Sequence, residues 1–79
     1  MPTASTIREL QYGDRFYYTS DSKKIVWQVT GADIAIQKIK GFNVYTRQVS
    51  LMDRYGNQLQ YKHARTNTNV IFLRNIKES

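Results

Sequence analysis

Apolar and polar residues alternate at short range along most of this chain and rarely recur at helical spacing. From Lys24 to Thr30, Ile25, Trp27 and Val29 share one parity against Lys24, Gln28 and Thr30 on the other, the pattern of a half-buried strand. Arg15 to Thr19 is dense in aromatics, and the intervening Ser20-Asp21-Ser22-Lys23 is polar and short enough to join the two segments as a hairpin. Ile34 to Lys40 alternates in part, with Ile34, Ile36, Lys38 and Lys40 on one parity; a strand is expected, with a short helix capped by Asp33 as the alternative. Phe42 to Met52 is longer and changes parity, since Phe42 and Val44 lie on one face and Tyr45, Val49 and Leu51 on the other. Such a change predicts a bulge or sharp bend near Thr46 to Gln48.

Asp53-Arg54-Tyr55-Gly56-Asn57 reads as a turn with Gln58 to Lys62 returning beyond it. After the polar stretch His63 to Asn69, Val70-Ile71-Phe72-Leu73 is the most continuously apolar segment and predicts a strand covered on both faces. The one helical signal is Thr6-Ile7-Arg8-Glu9, spaced as a capping box, with Ile7 and Leu10 on one face of the turn and Gly13 available to end it. Residues 1–5 and 77–79 are expected to fray. Trp27, Phe16 and Phe72 are expected in the core.

Together these elements predict a mostly β single domain over residues 1–79, a small five- to six-stranded barrel preceded by a short helical turn. Leu10-Gln11-Tyr12-Gly13-Asp14-Arg15-Phe16 resembles the Leu-x-x-Gly-Asp-x-Phe opening of many SH3-like barrels, and Val49 through Asn57 resembles their strand, turn and return. The resemblance implies an SH3-like barrel, with an OB-like barrel as the alternative. Such barrels bind RNA, DNA, peptides or other proteins, so it leaves the partner open.

Composition narrows the chemistry. The 79 residues include no cysteine, which excludes disulfides, thiolate metal sites and thiol nucleophiles. No apolar run approaches a bilayer span and the N-terminus shows no secretory signal, so a soluble, cytoplasmic protein without membrane partners is expected. His63, the single imidazole, sits beside Lys62 and Arg65 with no carboxylate near it in sequence. Asp14, Asp21, Asp33 and Asp53 each stand at a turn or an element boundary, where aspartate serves as cap or turn-former. Calcium loops and phosphate-binding glycine loops are missing. The expectation is a non-enzyme without cofactor, metal or small-molecule substrate, since a core this small encloses little space.

The net charge is +6, and its excess lies in the second part of the chain: from Ile34 to Lys77, Lys38, Lys40, Arg47, Arg54, Lys62, Arg65, Arg74 and Lys77 face only Asp53. Lys38, Lys40 and Lys77 could serve simply to keep strand edges apart. Tyr45, Arg47, Arg54, Tyr55, Tyr61, Lys62, Arg65 and Arg74 interleave rings with cations, as a single-stranded or structured nucleic acid requires: cations follow phosphates while rings stack on bases. Tyr and Arg are equally the residues of protein interface hot spots. The alternative is therefore a protein-interaction module that docks on an acidic partner surface or self-associates. Such a module would be a small regulatory, inhibitory or assembly factor of the kind found in phages and mobile elements.

Overall fold

A computed structural model of the chain describes residues 2–78. Seven strands form one antiparallel sheet: β1 (Thr3–Thr6), β2 (Asp14–Tyr18), β3 (Trp27–Val29), β4 (Ala35–Ile39), β5 (Phe42–Met52), β6 (Gln58–Arg65) and β7 (Asn69–Asn75). A single 3-10 turn, Ile7–Glu9, follows β1. The sheet order is β1-β7-β2-β3-β5, with β6 on the far edge of β5 and β4 beside β3 along its near edge. The barrel expected from the sequence is not closed, because β1 and β6 are not paired with one another and the sheet keeps two ends.

The sheet curls around a core of Ile7, Leu10, Phe16, Trp27, Val29, Val49, Ala64 and Val70, with Tyr18, Leu51 and Phe72 packed against it. Cross-strand partners share a face, so the pairs Phe16–Trp27, Phe16–Phe72 and Val29–Val49 line the inner side together. Phe16 and Tyr18 meet edge to face at 5.5 Å between ring centres, and Tyr18 and Trp27 at 6.1 Å. Each fully buried Val, Ile or Phe contributes about 1.5–3 kcal/mol by leaving water.

Several elements depart from expectation. Residues 3–6 do not fray: they pair with Asn69–Phe72 of β7, which gives that apolar strand a neighbour on both edges. The fraying expected at Met1 and Ser79 lies outside the described residues, while Lys77 and Glu78 are held in a turn by donation to Asn75. The helical turn exists, but Thr6 Oγ1 donates to Glu9 Oε1 at 3.0 Å rather than accepting from an amide, and Gly13 belongs to the next turn.

The strand expected at Lys24–Thr30 shrinks to Trp27–Val29. Asp21 accepts from the amides of Lys23 and Ile25, and Lys24 turns to φ 54°, so Ile25 is pulled out of the pattern and left exposed. The strand expected within Ile34–Lys40 forms over Ala35–Ile39. β6 runs on to Arg65, past the start of the expected loop.

The expected bend at Thr46–Gln48 is not a bulge. β5 continues through it, and what changes is its neighbour: β4 pairs as far as Thr46, and β3 takes over at Val49. At the junction the amides of Thr30 and Gly31 both donate to Gln48 O at 3.1 Å. The register shift falls instead at Leu51/Met52.

Candidate interaction surfaces

The eight residues expected to form one basic and aromatic surface divide among five places. Arg47 is not at the surface. It is 6% exposed, its Nε donates to Gly31 O at 3.1 Å, and its Nη1 donates to Ile7 O at 3.4 Å and to Leu10 O. Ile7 O already accepts from the Leu10 amide at 3.3 Å, so the guanidinium adds a second donor there, supplies one to Leu10 O at the end of the turn, and ties the turn to the Gly31 loop from across the core. Its parity with Tyr45 suggested exposure, but β5 enters the body at Thr46, and beyond that point the same parity points inward.

Lys62 lies on the inner side, opposite Val49, with its Nζ 4.4 Å from the Trp27 ring centre and 4.5 Å from that of Tyr18. It covers the rim of the core with its stem and places its charge on the ring faces. Beneath it the Tyr18 hydroxyl is buried without a partner, and burial pushes its pKa up to about 12. Tyr61 and Arg65 stand on the outer face of β6, where Tyr61 meets His63 edge to face at 6.2 Å.

Arg54, Tyr55 and Arg74 gather at another end of the molecule. Arg74 lies directly opposite Arg15, and Arg15 directly opposite Gln28, so the three cross β7, β2 and β3 on one face. The turn after β5 brings Arg54 to the same place. The result is a groove of about 380 Å³ lined by Arg15, Arg54 and Arg74, with Val26, Met52 and Leu73 supplying apolar surface and Asp53 the one carboxylate. Arg15 was not singled out in the sequence because its neighbour Asp14 cancels it formally. In space Asp14 is turned away and buried, accepting from the Gln11 amide at 2.7 Å and from Asn75 Nδ2 at 2.8 Å.

Tyr55 is 77% exposed beside this groove, with the Arg54 guanidinium 5.4 Å from its ring centre. The turn that carries them is shaped by Asp53, as its position in the sequence suggested. Its Oδ1 accepts from the amides of Tyr55 and Asn57, each at 2.8 Å, and its Oδ2 from Asn57 Nδ2 at 3.2 Å. The Asn57 amide foremost, then the Asn57 side chain and the Tyr55 and Gly56 amides, hold the carboxyl below its ordinary 3.8 despite some desolvation.

A folded-state value below the unfolded one stabilises the turn above about pH 4, and that stabilisation is lost as pH falls through the lowered value. Thermal melts at stepped pH should therefore show the advantage of the wild type over Asp53→Asn shrinking on acidification. A gap that stays constant from neutral pH to about pH 2 would refute this role.

The fifth place is an arm. β4 and the first part of β5 form a hairpin closed by Lys40 (φ 52°) and Gly41 (φ 82°), the two-residue turn whose twist suits antiparallel strands. β4 pairs only with β5, and the whole molecule is drawn out to 42 × 25 × 22 Å. Every residue of β4 is exposed. Ile36 (62% exposed) and Tyr45 face one side of the arm, and Ile39, Phe42 (74%) and Val44 the other. A two-residue turn makes Ile39 and Phe42 a hydrogen-bonded pair, so bonded pairs recur at Gln37–Val44 and Ala35–Thr46. The peptide groups of Ile36 and Lys38 consequently face the free edge.

Among the described residues no group of three or more His, Asp or Glu could hold a metal ion, and no helix is long and apolar enough to cross a membrane. No family, no curated protein and no solved structure matches the chain.

Proposed function

We propose that the protein is a non-enzymatic interaction module that docks an extended segment of an acidic partner protein along the β4 edge of its arm. The observation that carries this is the uncovered arm itself. A two-stranded hairpin is marginal in water, and this one holds five apolar or aromatic side chains with no third layer to cover either face. A partner strand added at β4 would pair with the outward peptide groups of Ile36 and Lys38 and cover Ile36 and Ile39 with its alternate side chains.

Charge selects the occupant. Lys38 and Lys40 are the only charged residues from Ile34 to Thr46, so an acidic segment is attracted, whereas a second copy of a +6 chain is repelled. On this reading the fold is an opened variant of the SH3-like barrel that Leu10–Phe16 resembles, with the arm replacing closure as the binding element.

Selection from a displayed random-peptide library tests it. Enriched peptides should alternate apolar with acidic residues, and titration should show Lys38→Pro weakening them by roughly tenfold, about 1.4 kcal/mol. That substitution removes an outward donor without touching the hairpin's own bonds. Peptides that bind Lys38→Pro as well as the wild type, no enrichment at all, or dimerisation of the chain through the arm in light scattering would each overturn the proposal.

A further inference from the structure

The arm makes no use of the other end of β5, where Arg15, Arg54 and Arg74 converge. We infer that their groove is a second site, which binds the phosphates of a single-stranded nucleic acid, with Tyr55 as the platform for an unpaired base. Three guanidinium groups arrive from three separate elements, β2, the β5–β6 turn and β7, and two of them are directly opposed across a strand pair.

Like charges so placed destabilise a sheet, and a bound anion that bridges them removes the penalty. Arginine forks suit phosphate oxygens in particular. Asp53, which also lines the groove, offsets only one of the three guanidinium charges, so the site keeps a net positive charge.

The single strand is favoured by Tyr55. Its ring stands clear at the tip of a turn, next to Arg54, where it can stack on a base that has no partner of its own. Bases inside a duplex are already stacked, and a phosphorylated side chain would leave the ring without a role. A groove of about 380 Å³ is on the scale of small-ligand pockets and admits one phosphate with its sugar, not paired strands.

Fluorescence anisotropy of labelled oligothymidine and oligouridine of about 12 nucleotides, at two salt concentrations, provides the test, with duplex DNA of equal length alongside. The full chain should bind both single strands in the micromolar range or tighter, and bind duplex more weakly. Arg15→Gln/Arg74→Gln should lose at least about tenfold, and the salt slope should fall by about 1.4, the contribution of two phosphate contacts. Because this variant relieves a like-charge pair, its melting temperature should not fall, which separates lost binding from lost folding. Tyr55→Ala should lose about fivefold or more.

Lys23→Gln/Lys24→Gln, which removes the same charge from an exposed turn elsewhere, should change affinity by less than about threefold. Absence of binding at low salt, an equal loss in the two charge variants, tighter binding of duplex, or an unchanged Tyr55→Ala variant would each overturn the inference.

Discussion

Replacing Arg47 with methionine should cost the fold about 3 kcal/mol. The substitution keeps most of the buried stem but leaves the carbonyls of Leu10 and Gly31 without their donor, at about 1.5 kcal/mol for each bond to a charged group, while Ile7 O keeps the Leu10 amide. For a domain of this size that is a fall in melting temperature of roughly 12–24 °C. Arg47→Lys should recover less than half of it, because one ammonium cannot serve the carbonyls that the planar fork reaches. Circular dichroism melts of the three proteins decide the matter. A loss below about 0.5 kcal/mol in the methionine variant would mean that the side chain is not committed to the interior.

Gly31→Ala should destabilise the fold through lack of space rather than through backbone conformation. A Cβ at this position would stand 2.8 Å from Gln48 Cβ and 3.1 Å from the Gln48 backbone nitrogen, where strand β5 itself would have to give way. The cost should be about 2 kcal/mol, through overpacking and through displacement of the Gly31 carbonyl from Arg47. Gly41→Ala is the comparison. Its added carbon meets nothing within 4 Å, so only the φ of +82° opposes it, at about 1 kcal/mol. Urea unfolding of the two variants should rank them in that order, and the reverse order would show that space at Gly31 is not the constraint.

Parity and turn chemistry carried most of the fold from sequence. Asp21 and Asp53 shape turns where they were expected to, and Trp27 and Phe16 lie in the core. The β4–β5 hairpin and the return after Gly56 follow the same logic. What local pattern could not convey is neighbour identity. Thr3–Thr6 carries no apolar signal and becomes a strand only because β7 offers it an edge some 65 residues away in sequence.

The candidate surface failed for a related reason. Tyr45 and Arg47 share a parity, yet one lies on the arm and the other inside the body, because the boundary between the two falls at Thr46. Arg15 entered the groove unannounced, since Arg74, its partner across the sheet, is 59 positions away in sequence.

That boundary has a mechanical meaning. β5 is a single run of eleven residues, its first part the inner rail of the arm and its last part a central strand of the body, with no loop or bulge where the two meet. The arm is therefore built as a cantilever clamped between Tyr45 and Gln48, by Thr66 and Arg65 along one edge and by Thr30 and Gly31 along the other. Its angle is fixed by the same bonds that seat Val49 in the core, and a partner that tried to swing it would have to work against those bonds. A load at the tip would be felt first where Arg65 and Thr66 hold Thr46 and Tyr45, and next at Thr30 and Gly31.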